Sequence, residues 1–232
     1  MKRTLLIPAF LAFVTPAFGA APLTGFPFMD ESLAYTINWP SGLSVGEAHL
    51  NAKHTAGGWT FEFKLDAGVP GYTVKDSYSS ESNADFCSME FDRDYAHGSR
   101  KGGEKESIDR SHETASRVTT HNGGKSEMRI PDCVKDALTA VFYTRRELGQ
   151  GRVPGAQQIL FGGLYQMTLD YGGAQMVKIA DKPAQTDKIV CNLKGPSASI
   201  AFEMYFARDA ARTPLLVKVP LSMGNFSMEI VR

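Results

Sequence analysis

The chain has few cysteines and no closely spaced cysteine pair. Its three cysteines are Cys87, Cys133 and Cys191, and none forms a C-x-x-C motif. The sequence therefore gives no support for a thioredoxin-like redox site. Because the number is odd, at least one thiol is free or pairs with another chain.

The sequence also lacks recognisable catalytic and metal-binding motifs. It has no Gly-x-Ser-x-Gly element, and its five histidines show no metal-ligand spacing. Acidic residues are plentiful, but no pattern selects a glycosidase-like pair. The pairs Gly102–Gly103 and Gly162–Gly163 predict turns and not phosphate-binding loops. We therefore expect no enzymatic activity, no cofactor and no metal site.

An excess of charge of either sign is absent as well. The chain has 25 basic and 25 acidic residues, and removing Lys2 and Arg3 with an N-terminal signal leaves 23 basic ones. Such a balance gives no electrostatic reason to expect nucleic acid or an anionic membrane as a partner.

Long hydrophobic runs are missing, and the longest stands at the N-terminus. Lys2 and Arg3 precede an apolar stretch over residues 5–14, and Ala17-Phe18-Gly19 has the small residues of a cleavage site. This pattern predicts a signal peptide over residues 1–19. The alternatives are cleavage after Ala21 or an uncleaved anchor, although spanning a bilayer takes about 20 apolar residues. We expect a periplasmic or otherwise exported protein, soluble after cleavage, with residues 20–232 forming one domain.

What the sequence does have is alternation of apolar and polar residues with period two, typical of strands with one buried face. Turn residues separate these runs, including Gly57–Gly58, the Asn122-Gly123 region and Gly172–Gly173, while residues 98–106 predict a charged loop. Consecutive short hairpins predict a mostly β fold, an antiparallel meander forming a strongly curved sheet or open barrel.

One segment has helical periodicity and predicts the principal α-helix at about 132–148. Asp132 is the expected N-cap, and Gly149 ends the helix. We expect this helix at the mouth of the sheet or across its concave face. Its apolar positions on one face are Val134, Leu138, Val141, Phe142 and Leu148.

Among the cysteine pairings, Cys87–Cys133 is preferred, because both residues lie beside turns where two segments can meet. Cys191 alternates with Ile189 and Leu193, which favours a free, buried thiol. The alternative is that all three cysteines are buried apolar residues, since connectivity cannot be read from sequence alone.

Three segments carry a resemblance to a known family. The run from Asp136 to Arg145, the run from Phe202 to Pro214 and the opening Gly46-Glu47-Ala48 hairpin resemble DUF3108, an uncharacterised family of exported envelope proteins. The resemblance extends from about residue 30 to the end of the chain, although the family usually has Trp where Tyr205 or Met204 stands. It implies an exported β-rich domain of unknown activity, similar in outline to half-barrels that carry lipids or lipoproteins.

Two hypotheses for function follow. In the first, the concave face binds a lipid or another apolar envelope ligand. In the second, the chain is a structural or protein-interaction module of the envelope with a filled core, in which Asp209 and Arg212 fix a turn while Asp136 and Arg145 hold the helix to the sheet. The candidate ligand-binding residues are Tyr143, Arg145, Phe202, Met204, Asp209 and Arg212.

Overall fold

A computed structural model describes residues 30–120, 123–221 and 224–231, so the predicted signal peptide lies outside the described residues. The described chain forms strands and one helix, α1 (Ala137–Gly149), which lies between β9 and β10. The strands are β1 (Glu31–Asn38), β2 (Ser44–Thr55), β3 (Gly58–Val69), β4 (Tyr72–Asn83), β5 (Ser88–His97), β6 (Arg100–Asp109), β7 (Thr114–Thr119), β8 (Lys125–Arg129), β9 (Lys135–Asp136), β10 (Gln157–Leu160), β11 (Leu164–Ile179), β12 (Lys182–Lys194), β13 (Ser199–Ala207), β14 (Pro214–Leu221) and β15 (Gly224–Ile230).

All of these strands belong to one sheet, in the order β8-β7-β6-β5-β4-β3-β2-β1-β15-β14-β13-β12-β11-β10-β9. Neighbouring strands pair antiparallel except β9 and β10, which pair parallel. The first and last strands meet at the centre, where Tyr35 of β1 lies opposite Ile230 of β15. The predicted fold class, a mostly β antiparallel meander in a curved sheet with one principal helix, is confirmed.

The sheet curves toward the face that carries Phe61 and Glu106. Phe61 lies opposite Ser80, Ser80 opposite Phe91, and Phe91 opposite Glu106, so all four share that face. The turn between β10 and β11 reaches this face from the other half of the sheet, where the Gly162 amide donates to Glu106 Oε1 at 3.0 Å. This face is therefore concave, and α1 packs against it through Phe142, whose ring stacks on Phe61 at 4.0 Å.

The predicted start of the helix was wrong by one turn. Asp136, not Asp132, is the N-cap: its carboxylate accepts from the amides of Leu138 at 2.8 Å and Thr139 at 3.0 Å. Its second oxygen accepts from the Ser80 hydroxyl, which fixes the cap against β4. Asp132 stands instead in the preceding turn and forms an exposed ion pair with Arg110 at 3.0 Å.

Three predicted loops or turns were also wrong. Residues 100–106 of the predicted loop belong to β6, and the pair Gly102–Gly103 lies within that strand. The Tyr95 ring crosses β6 so closely that a Cβ on Gly102 would be 2.4 Å from its hydroxyl oxygen. Gly172–Gly173 forms a bulge inside β11, where the register shifts between Tyr171 and Ala174.

Candidate functional site

Arg145, a predicted ligand-binding residue, is fully buried within the fold. Its Nη1 lies 2.6 Å from Glu31 Oε2. Its Nε donates to the carbonyl oxygens of Ala211 at 3.1 Å and Arg212 at 3.2 Å. These contacts join α1 to β1 and to the turn between β13 and β14.

Asp209 and Arg212 also make contacts within the protein. Asp209 accepts from the Thr213 amide at 3.1 Å and the Thr213 hydroxyl at 2.9 Å, which holds the β13–β14 turn. Arg212 Nη1 lies 2.7 Å from Asp187 Oδ2 on β12. The structure thus brings Arg145 and the β13–β14 turn together. The charged groups of all three residues bind other parts of the protein, as a structural role requires.

The remaining three predicted residues differ in burial. Tyr143 is half-buried, and its ring centre lies 4.3 Å from Lys135 Nζ and 4.8 Å from Arg146 Cζ. Met204 is buried in one cluster with Ala140 of α1. Phe202 lies two residues before Met204 on the same face of β13 and is only half-buried.

Phe202 is part of a larger apolar surface on the concave face, which we call the mouth strip. Its members are half-buried and pack around the two main core clusters. The strand pairing places Leu65 opposite Ala48, and Met228 opposite both Ile37 and Val217, so the strip crosses the centre of the sheet. The mouth strip comprises Phe63, Leu65, Phe202, Val217 and Met228.

Nearer α1, aromatic rings occupy the concave side. Phe161, from the β10–β11 turn, lies between β4 and β5, with its ring centre 5.7 Å from Tyr78 and 5.8 Å from Phe91. The Arg93 guanidinium also packs on this ring, with Cζ 4.2 Å from the ring centre. The interior is therefore filled by side chains in this region.

A buried charged cluster lies beneath the same turn. Arg93 Nη2 is 2.6 Å from Glu104 Oε1, and Arg117 Nη1 is 3.7 Å from Glu104 Oε2. Glu106 is fully buried, and this burial raises its pKa to about 7 even though the Gly162 amide donates to it. Arg117 in turn donates to the Gly162 carbonyl oxygen. The cluster holds the β10–β11 turn on the β5–β7 region and closes the curved sheet.

Sequence reasoning missed this cluster, because residues 98–106 were predicted to form a loop. A signal was present: Glu104, Glu106 and Ile108 recur at every second position, as they would along one face of a strand.

A groove of about 390 Å³ lies on the opposite, outer face, beneath the β11–β12 hairpin. The carboxylate of Glu229 accepts from the Ala180 amide at the hairpin tip at 2.9 Å, which holds the tip against β15. The groove is mainly polar, with Tyr205 at its base and Lys178 and Lys218 beside it. It is therefore a less suitable site for an apolar ligand than the mouth strip.

The described residues contain no group of three His, Cys, Asp or Glu side chains placed to hold a metal ion. Within the same residues, no helix has the length and apolar character to cross a membrane.

Comparison with known proteins identifies a family and a fold. A family model described as "Protein of unknown function (DUF3108)" matches residues 34–231. No curated protein matches the chain. Among solved structures, it is similar to the β-barrel-like protein of domain of unknown function DUF1849 from Brucella abortus, with a TM-score of 0.63, 8% identity, and 88% of this chain and 96% of that chain covered. That likeness shows the fold alone.

Proposed function

This chain belongs to the DUF3108 family, and from that starting point we propose that it is an exported envelope protein that binds an apolar or amphipathic ligand, most simply a lipid. The ligand would lie on the mouth strip and leave chemically unchanged. The export part of the proposal is supported by the N-terminal pattern of residues 1–19.

The mouth strip is the observation that carries the proposal. Protein cores bury large apolar side chains, whereas the strip leaves two phenylalanines, a leucine and a methionine half-buried on the inner face of one continuous sheet. Ligand sites are concave and mostly apolar, with a few polar groups that orient the ligand. The mouth strip supplies the concave apolar surface of such a site.

Polar side chains beside the mouth strip could supply the groups that orient a ligand. Asp76 lies opposite Leu65 across the β3–β4 pair, on the same face. Its Oδ1 is 2.9 Å from His97 Nε2, and Tyr95 is opposite Asp76 on β5. These groups can form hydrogen bonds with a polar head while the strip contacts an acyl chain, which favours an amphipathic ligand.

The alternative is a structural or protein-interaction module of the envelope, in which the concave side is filled. The stacked Phe61 and Phe142 rings and the inserted Phe161 favour this alternative for the region beneath α1. The two hypotheses therefore differ only in what covers the mouth strip.

Ligand uptake by matched variants tests the proposal. The chain from residue 20 onward is purified from its own envelope, its bound lipids are extracted for mass spectrometry, and a fluorescent fatty acid is titrated into delipidated protein. Phe202→Ala removes a side chain of the mouth strip. It should weaken the affinity for the fatty acid by about ten-fold, because the ligand loses the apolar surface that it buries against this ring. Met176→Ala, in an exposed residue of the outer groove, should leave uptake unchanged.

Two results would contradict the proposal. One is a folded protein that carries no lipid and shows no saturable uptake. The other is a loss of uptake in Met176→Ala with none in Phe202→Ala, which would move the site to the outer groove. Circular dichroism of both variants ensures that only folded protein is compared.

A further inference from the structure

The turns of an antiparallel meander alternate between the two ends of its sheet. Arg145 of α1 binds Glu31 at the start of β1, so α1 lies at the end where β1 begins. The opposite end, which we call the mouth end, carries the turns β1–β2, β3–β4, β5–β6, β7–β8, β12–β13 and β14–β15. The β10–β11 turn packs onto the concave face instead.

Exposed apolar side chains stand on three of the mouth-end turns. Leu43 beside the β1–β2 turn is 67% exposed, while Tyr72 at the start of β4 and Leu221 at the end of β14 are each 47% exposed. The Tyr72 ring lies across the β5–β6 turn, where a Cβ on Gly98 would be 2.9 Å from it. Three separate turns therefore present large apolar groups to solvent at one end of the molecule.

The charged residues of the turns also differ between the two ends. Among the described residues, the mouth-end turns contain no Asp or Glu. The turns at the α1 end contain charges of both signs, namely Asp85, Arg110, Glu113, Asp132, Asp181, Arg208, Asp209 and Arg212. Next to the mouth-end turns, Arg100, Lys101 and Lys194 are exposed. Within the part of the chain that the structure describes, these three cations form no ion pair. The balanced total charge thus conceals a basic, apolar mouth end, whereas the α1 end carries charges of both signs.

We propose that the mouth end docks on the surface of an anionic lipid bilayer. Apolar side chains enter the boundary between head groups and acyl chains, and neighbouring Lys and Arg side chains are attracted to anionic head groups. The turns carry both features together, and their described residues include no acidic side chain that would repel an anionic surface. Docking in this orientation would direct the open side of the mouth strip toward the bilayer.

This inference concerns the turns and does not depend on whether the mouth strip holds a ligand. Binding to vesicles and uptake of a free fatty acid are separate measurements, so either proposal can fail while the other stands. A protein partner in place of the bilayer would show itself as a folded protein that binds no vesicles.

Vesicle flotation tests the docking. The chain from residue 20 onward is mixed with vesicles of phosphatidylcholine alone, or of phosphatidylcholine and phosphatidylglycerol at about three to one. We expect binding to the anionic vesicles that weakens as salt is added, because exposed charges are screened. The double variant R100Q/K101Q should bind more than ten-fold less, at roughly five-fold for each charge removed.

The apolar part is tested by L43S/L221S, which should also reduce binding to anionic vesicles by more than ten-fold. The matched controls lie at the α1 end. Lys182 and Met89 are exposed there, as the substituted cations and leucines are at the mouth end. K182Q and M89S should bind as the unchanged chain does. Equal losses in these controls, equal binding to neutral and anionic vesicles, or no vesicle binding by the folded chain would each overturn the inference.

Discussion

Arg145 and Glu31 form a buried, two-pronged ion pair between α1 and the first strand. Arg145 Nη1 donates to Glu31 Oε2 at 2.6 Å and Nη2 donates to Oε1 at 3.1 Å. The Arg145 side chain is fully buried, so few water molecules compete for these bonds. The pair fixes the position of the helix that covers one end of the concave face.

Removing one partner of this pair should destabilise the protein strongly. Arg145→Met leaves the Glu31 carboxylate buried without its cation, and we expect a loss of about 3–5 kcal/mol in the free energy of unfolding. Urea unfolding followed by circular dichroism measures it. The control is Arg152→Met, which removes an exposed arginine paired with Glu147 and should cost less than about 1 kcal/mol. Equal losses in the two variants would show that burial of the pair is not decisive.

The disulfide between Cys87 and Cys133 should contribute to stability through the unfolded chain. The preferred pairing is present in the structure, and it joins residues 46 positions apart. Closing a loop of this length restricts the unfolded chain, which should raise the free energy of unfolding by roughly 4 kcal/mol. Urea unfolding with and without reductant should show this difference, and the double variant C87S/C133S should show no response to reductant. A response of unchanged size in that variant would assign the effect to another cause.

Cys191 should be chemically inert in the folded protein. It is the free cysteine of the structure, it is buried, and burial raises the pKa of its thiol to about 12. Because the thiolate is the reactive form, a thiol reagent should modify no cysteine in the native chain and one after unfolding without reductant. After unfolding with reductant it should modify three, and rapid labelling of the native chain would contradict the prediction.

The meander was predictable from sequence because period-two patterning is local. Ile200, Phe202 and Met204 alternate along β13 as the sequence alone indicates. The start of the helix was not predictable in the same way. Asp132 and Asp136 are equally good N-caps locally, and the choice depends on Ser80, a distant residue whose hydroxyl donates to the Asp136 carboxylate.

The candidate site was predictable only in part, for the same physical reason. Alternation shows that Phe202 and Met204 share a face, but only tertiary packing decides that Met204 is buried and Phe202 half-buried. The polar residues Arg145 and Arg212 were identified by family resemblance, which does not reveal that their partners lie within the protein. Total charge likewise cannot show that the acidic turn residues among the described ones lie at the α1 end.

Glu106 should make the stability of the protein depend on pH. Its pKa is raised from 4.5 to about 7, chiefly by burial. Between these two values the folded chain holds a proton on Glu106 that the unfolded chain releases. The free energy of unfolding should therefore fall as pH rises from about 4.5 to about 7 and then level off, with a total loss of about 3 kcal/mol. The charged groups that face Glu106 are Glu104, Arg93 and Arg117.

Glu106→Gln isolates this contribution, because glutamine keeps an oxygen that can accept from the Gly162 amide but has no proton to release. Urea unfolding at several pH values between 4.5 and 8 should show a shallower fall in the variant than in the unchanged chain. The control is Glu90→Gln, in a half-buried carboxylate that pairs with Lys105 at the surface. That variant should retain the full pH dependence, since it leaves Glu106 and the groups that face it unchanged. Identical pH dependence in Glu106→Gln and the unchanged chain would mean that Glu106 is already ionised in the folded protein at pH 5. In that case the Glu106 carboxylate, which accepts from the Gly162 amide, would carry a full negative charge beneath the β10–β11 turn.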